Sequence, residues 1–210
     1  MPTTSRLTLR SYRNTDEEGW LRCRLLAFLH TDYYDDVKTV RTADPQLAVC
    51  LVAIGNDELI GLIDVTVDGT AATIDSIAVH PDHQRQGLGT ALLNAAITEL
   101  SPDITTLDAW TREDTAANQW YVRSGFTENF RYLHVYKSWD EPADGFCAPH
   151  GLSTPLEVFA HAQIADENPL RQRFRRVYVC RQYLMHLTGS SSVDGVQSDN
   201  GRGPIMQGTP

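Results

Sequence analysis

No stretch of this sequence stays apolar for the roughly 20 consecutive residues that a membrane-spanning helix needs, so no bilayer-crossing segment is expected. Cysteine is sparse. Cys23, Cys50, Cys147 and Cys180 stand far apart with no Cys-x-x-Cys pair, which predicts buried or free thiols in a reducing compartment. Histidine at metal-ligand spacing is missing too: His150 and His161 have no second ligand close by, so no metal site is expected. Positive charge is short. Lys and Arg number 18 against 27 Asp and Glu, and the formal net charge is −9. A chain of that sign is a poor nucleic-acid partner, because such affinity comes largely from neutralising phosphates. It does not exclude a diphosphate ligand, which one local helix terminus can hold, and it favours a cationic partner. Met1 to Leu9 contains no apolar core of the signal-peptide kind, so a cytoplasmic location is expected. With 41% hydrophobic and 21% charged residues, the 210-residue chain is globular and long enough for one sizeable core plus an appendage.

The most informative stretch is His80-Pro81-Asp82-His83-Gln84-Arg85-Gln86-Gly87-Leu88-Gly89-Thr90. Before it, Thr73 to Val79 alternates and is rich in β-branched residues, so it reads as a strand. After it, Leu88, Ala91, Leu92, Ala95 and Ala96 share one helical stripe. A polar, glycine-containing loop therefore joins a strand end to a helix start. The first helical N–H groups lack partners inside the helix, and the dipole favours negative charge there. Gly87 and Gly89 allow close approach of a ligand to the backbone. This is a place for a phosphate or pyrophosphate. A P-loop is excluded because Thr90, not lysine, follows Gly89, and a dinucleotide fingerprint fails at Leu92.

Along the chain, Arg6 to Tyr12 reads as a first strand. Thr15 and Glu18 have capping-box spacing ahead of a helix carrying Trp20, Leu21, Leu25, Phe28 and Leu29. The run from His30 to Asp36 reads as a helix–helix connection able to line a pocket. Three strands follow as a meander, Leu47 to Ile54, Leu59 to Val67 and Thr70 to Val79, with Asp68-Gly69 as a hairpin signal. The helix after the central loop ends near Leu100, and Ile104 to Thr111 returns as a strand parallel to its predecessor. Asp114 to Ser124 is a short helix closed by Gly125, and Phe126 to Lys137 is another strand. Ser138 to Gln172 is a long connection with one expected helix, Thr154 to Ala165. Phe174 to Leu187 is the last strand, and its arginines read as a solvated face. Thr188 to Pro210 has no aromatic residue and is expected to be disordered. The organisation expected is one domain over 1–187, with 138–172 inserted between the last two strands, and a tail over 188–210.

Two motifs carry a resemblance. Gln84-x-x-Gly87-x-Gly89 directly after a strand resembles the pyrophosphate loop of the GNAT superfamily of N-acetyltransferases. Asp114-x-x-Ala117-x-x-x-Tyr121-x-x-x-Gly125-Phe126 resembles that superfamily's following helix, with Asp114 where asparagine is usual. Ala109 to Asp114, Tyr132 to Tyr136, Phe159 to His161 and Phe174 to Val177 resemble a bacterial branch with a long insertion before the last strand. The resemblance implies an α/β (α+β) GNAT acyl-CoA N-acyltransferase fold, with a mixed, mostly antiparallel sheet and a splayed parallel strand pair flanked by helices. It implies acetyl-CoA as co-substrate and a small-molecule or peptide primary amine as acceptor. Pantetheine would pair along Ile77, Ala78 and Val79. Pyrophosphate would lie on Gln84, Arg85, Gln86, Gly87, Leu88, Gly89 and Thr90. Tyr121 would be the general acid on the CoA sulfur. Asp75 would deprotonate the amine through water, with His134 as a competing base. A carboxylate at Asp114 cannot donate to a pantetheine carbonyl, so Asn118 would supply that donor. Neither motif contains cysteine, so attack is expected to be direct within a ternary complex. The 138–172 insertion would cover the acceptor end or form a homodimer contact. A non-catalytic CoA-binding or regulatory module of the same fold is the alternative reading, and a longer acyl chain is a further one.

Overall fold

The computed structural model describes residues 7–41 and 44–187. The tail expected over 188–210 lies outside the described residues. One eight-stranded sheet organises the chain, in the order β1-β2-β3-β4-β5-β8-β6-β7. Its strands are β1 (Thr8–Ser11), β2 (Leu47–Gly55), β3 (Glu58–Asp68), β4 (Ala71–Val79), β5 (Thr106–Thr111), β6 (Thr127–Lys137), β7 (Val158–Ala162) and β8 (Arg176–His186). The helices are α1 (Glu17–Phe28), α2 (Leu88–Glu99), α3 (Thr115–Arg123) and α4 (Glu167–Arg173). Every neighbouring pair is antiparallel except β4 and β5, which the α2 crossover makes parallel.

The meander follows from its turns. Asn56 and Asp57 both take positive φ, as the tight turn between β2 and β3 requires, and Gly69 does so between β3 and β4. β2 and β3 are apolar on both faces because both faces are covered. Leu51, Ala53, Ile63 and Val65 face α2, where Leu88, Leu92, Leu93 and Ala96 complete a dry core. Val52, Leu62 and Ala78 face α1, against Trp20 and Cys23. Burial pushes the Cys23 thiol up to about 12, and all four cysteines are free. Among the described residues no helix is long and apolar enough to cross a membrane.

Three expectations are corrected. Thr154 to Ala165 is not a helix: β7 occupies Val158–Ala162 and pairs with β6, Leu133 opposite Ala162 and Lys137 opposite Val158. Its alternation of half-buried and exposed residues has the period of a strand, and β6 offers an edge for it. The cap before α1 is not Thr15 with Glu18. Asp16 accepts the Arg13 N–H at 2.8 Å and is itself gripped by both terminal nitrogens of Arg10 at 2.7 and 2.8 Å. Finally, His30 to Asp36 is a chain of turns leading toward β2, and no second helix precedes β2 among the described residues.

The sheet has one break that matters. β4 and β5 pair only over Ala71–Ile74 and Thr106–Ala109. Beyond Ile74 the two strands part, and Ile77 to Val79 lose their neighbour on that side. The break coincides with a β-bulge. Asp64 pairs with Ser76 and Val65 with Ile74, so Asp75 is the extra residue. Because of it, Ile74 and Ile77, three apart, both face the α2 core.

Candidate active site

A cavity of about 630 Å³ passes through this gap from one face of the sheet to the other. On the α2 and α3 side it is walled by Gln84, Arg85, Gly87, Gly89 and Thr90 and by Trp120 and Tyr121. On the α1 side it is walled by Phe28, Thr31, Tyr33, Asp36, Asp75 and Trp110.

The strand edge comes first. His80 N–H donates to Ile60 O at 2.9 Å, so the next pair inward, Val79 with Gly61, is a non-hydrogen-bonded one. Alternation then points the N–H and C=O of Val79 and of Ile77 into the gap, and ties those of Ala78 to Leu62. The backbone groups of Ile77 and Val79 therefore face the cavity. Ala78 contributes only its buried methyl group, which corrects its assignment. The Val79 carbonyl already accepts from Gln84 Nε2 at 3.1 Å, leaving its N–H as the group that faces the cavity.

The loop is built on two left-handed residues. Arg85 has φ 60° and Gly87, the N-cap of α2, has φ 82°. The α2 ladder opens with Ala91 N–H donating to Gly87 O, so the N–H groups of Leu88, Gly89 and Thr90 have no partner inside the helix. They stand at the positive end of the dipole, beside the cavity. Gln86 does not join them: its side chain donates to Asp82 O at 3.3 Å, and it lies off the cavity wall. A methyl group on Gly87 would meet nothing within 4 Å. Gly87→Ala is therefore expected to cost about 1–2 kcal/mol through its positive φ alone. A urea titration gives that cost, and CoA binding by calorimetry should weaken with it.

The expected roles of α3 divide. Asp114 caps the helix, its Oδ1 accepting the Ala117 N–H at 2.7 Å, and it lines the cavity. Asn118 does not supply a donor to the cavity. Its Nδ2 donates to Arg112 O and Asp114 O at 2.7 and 2.6 Å, and its Oδ1 accepts from Tyr183 Oη at 2.8 Å. Both amide hydrogens are consumed in fixing the start of α3, which corrects its ligand role. Asn118→Ala should lower stability by about 1–3 kcal/mol through the orphaned carbonyls. Thermal unfolding measures it, and CoA affinity at a temperature where the variant is folded should be nearly unchanged.

Tyr121 is buried. It stacks on Tyr183 at 5.3 Å between ring centroids and meets Trp120 and Phe126 edge-on. Burial first, and the Asp108 charge second, hold its phenol well above the ordinary tyrosine range. It therefore stays protonated across neutral pH. Asp75, the bulged residue, lies on the cavity wall, with Ser76 Oγ donating to its Oδ2 at 3.2 Å and Lys38 Nζ at 3.8 Å.

His134 is not a base here. Arg112 Nε donates to its Nδ1 at 3.2 Å, and a guanidinium can only donate, so the ring proton sits on Nε2 and points to Tyr132 Oη at 2.8 Å. No lone pair is left. Burial, and then the neighbouring Arg112 charge, push its pKa down to about 3.

Arg112 itself is what sequence reading missed. Its buried guanidinium also donates to Asp32 O and Tyr136 Oη and lies 4.1 Å from the centroid of the Tyr33 ring. Asp35 is 3.7 Å away and is held at 2.6 Å by Arg176, which corrects the reading of that arginine as part of a solvated face. Arg24 takes Asp36 through its main-chain O and its carboxylate at 2.7 and 2.6 Å. Three arginines, from α1, from the loop after β5 and from β8, thus pin the Asp32 to Asp36 segment as a cavity wall. The only sequence signal was that segment's two tyrosines and three acids. Residues 138–172 supply no wall among the described residues, so the insertion does not cover this cavity.

Comparison with known proteins agrees with this geometry. The family model described as acetyltransferase (GNAT) domain matches residues 46–128, which hold β2 to β5, the loop, α2 and α3. Mycothiol acetyltransferase of Corynebacterium glutamicum (strain R) is 32% identical over 106 residues, 49% of this chain and 32% of that protein. The match thus spans about a third of that relative's length. The ribosomal-protein-S18-alanine N-acetyltransferase of Escherichia coli superposes with a TM-score of 0.55 at 19% identity, over 92% of this chain and all of that one. The PaiA N-acetyltransferase of Thermoplasma acidophilum, solved with coenzyme A, gives 0.50 at 14% identity over 59% of this chain and 91% of that one. These two likenesses concern the fold. The family match lies over the loop and the gap: residues 46–128 match an acetyltransferase (GNAT) domain, on a fold shared with solved N-acetyltransferases.

Proposed function

We propose that the protein transfers an acetyl group from acetyl-CoA to a primary amine, by direct attack within a ternary complex. One observation carries this: the same cavity joins the unpartnered amides opening α2, the Val79 N–H in the sheet gap, and the protonated Tyr121 phenol. The residues present suit the co-substrate. The α2 amides hold a diphosphate, and the Ile77–Val79 edge accepts an extended pantetheine as a short added strand. The amine yields its proton to Asp75 through water, and its nitrogen attacks the thioester carbon from the α1 side. The Val79 N–H donates to the oxygen on which charge develops, a contribution of about 3–4 kcal/mol for one such donor. The sulfur departs and takes a proton from Tyr121, which burial keeps protonated, and the tyrosine is refilled by the second proton that the new amide nitrogen sheds.

The test is release of CoA thiol from acetyl-CoA across an amine panel, beside CoA affinity. Thiol release that depends on the amine supports transfer. A second reading, a CoA-binding module without chemistry, draws on Lys38 standing beside Asp75. Tight CoA binding with no thiol release from any amine would select it. Competition between acyl-CoAs of different length separates acetyl from longer chains.

A further inference from the structure

The α1 side of the cavity indicates what kind of amine it accepts, and this inference rests on the transfer reading above. Its walls there are three aromatic rings, Phe28, Tyr33 and Trp110. Phe28 and Tyr33 stand 5.9 Å apart, tilted at 39°. Tyr33 is fixed from behind by the Arg112 guanidinium, and Trp110 is fixed edge-on by Tyr132 at 5.5 Å. These rings are held, so they offer a preformed apolar slot that a ligand need not order.

The charges tell the complementary half. The cavity is lined by carboxylates from Asp36, Asp75 and Asp114. A polyamine or an arginine-rich peptide would need several of them unpaired. Asp36 is bound by Arg24 at 2.6 Å, and Lys38 lies 3.8 Å from Asp75. Asp114 alone has no cationic side chain against it among the described residues, and one of its oxygens caps α3. Arg24, also on the wall, adds repulsion toward a second ammonium. The chain's net charge of −9 attracts cations at long range, but the cavity lining holds room for one.

We infer that the acceptor is a monoamine carried on an apolar or aromatic body, and that polyamines are poor acceptors. The rings take the body, and their faces also attract the single ammonium before it is deprotonated. Two carboxylates are withheld from a second ammonium by Arg24 and Lys38.

The experiment measures binding and turnover separately, on the full chain loaded with CoA or acetyl-CoA. Phenethylamine and spermidine are the two probes. Binding is read by calorimetry on the CoA complex and turnover by thiol release. The expected result is a dissociation constant for phenethylamine at least about tenfold below that of spermidine. Tyr33→Leu, which keeps apolar volume but removes a ring, should erase most of that preference. Lys38→Ala frees Asp75 at a surface position and should tighten spermidine by about tenfold while leaving phenethylamine alone. Equal or tighter spermidine binding in the wild type overturns the inference, and so does failure of both amines to bind. Preferential phenethylamine binding without thiol release keeps the inference and overturns the transfer reading. Turnover of spermidine in preference to phenethylamine does the reverse.

Discussion

Tyr121→Phe is expected to lower turnover of acetyl-CoA with an accepted amine by about a hundredfold or more, with CoA affinity little changed. The variant is clean because the ring is held by stacking, not by its oxygen. Tyr183 at 5.3 Å, Trp120 at 5.0 Å and Phe126 at 5.4 Å pack a phenylalanine as well as they pack the tyrosine. What is lost is one O–H facing the cavity. A hundredfold loss corresponds to about 2.7 kcal/mol of transition-state stabilisation, the range expected for one positioned proton donor. The pH profile gives a second reading. Burial and Asp108 raise the phenol's proton affinity, so the acid keeps its proton and stays neutral as pH rises. In the wild type the rate should climb as more amine becomes neutral and show no alkaline decline where an ordinary tyrosine begins to ionise. Stopped-time thiol assays at saturating acetyl-CoA measure both. Equal rates in the two proteins would remove Tyr121 from the mechanism.

Arg112→Ala is expected to cost about 3–5 kcal/mol of folding stability, the usual consequence of deleting one member of a buried charged network. That is a large share of the roughly 5–15 kcal/mol available to a domain. The loss leaves Asp32 O, Tyr136 Oη and His134 Nδ1 without their donor. Lysine should not rescue it, because a single ammonium cannot reproduce three diverging donors. Urea unfolding at neutral pH gives the cost. The same network sets a pH signature. Folded His134 is held neutral down to about 3, while in the unfolded chain it protonates near its ordinary value of about 6.5. Between those values the unfolded state binds the extra proton, so stability is full above about 6.5 and is lost as pH falls toward 3. The steepest slope one group can give is about 1.4 kcal/mol per pH unit. Removing the Arg112 charge should narrow this window from below. His134→Gln, which keeps a hydrogen-bond acceptor, should remove the histidine's part of the slope.

Local rules decided much of this in advance. The β-branched run ending at Val79, the glycines at 87 and 89 and the apolar stripe of α2 are signals that operate within a few residues, and each element formed where they pointed. Gly125 closes α3 with φ 93° for the same reason. The misreadings arose where a neighbour from far along the chain supplied the deciding interaction. Val158–Ala162 is a strand because β6 lies open beside it, 21 or more residues back along the chain. Asn118 looked available because its partners are two carbonyls and a tyrosine from β8, 65 residues away. His134 looked like a base because an isolated imidazole is one, and only the folded chain sets Arg112 against its lone pair. Asp75 shows both sides. Its place on the strand was legible, while its turn toward the α1 side depends on a one-residue slip in the pairing with β3.

By itself, then, the sequence determined most of the order of strands and helices, the glycine-containing loop before α2 and the tyrosine one helix later. These rest on backbone conformation, which near neighbours control. Only the tertiary structure decided that the cavity runs through the sheet, that Asp32 to Asp36 forms its far wall, and that its carboxylates are mostly spoken for. Those depend on which charges and rings meet across the fold, and a buried guanidinium gathers partners that no spacing along the chain records.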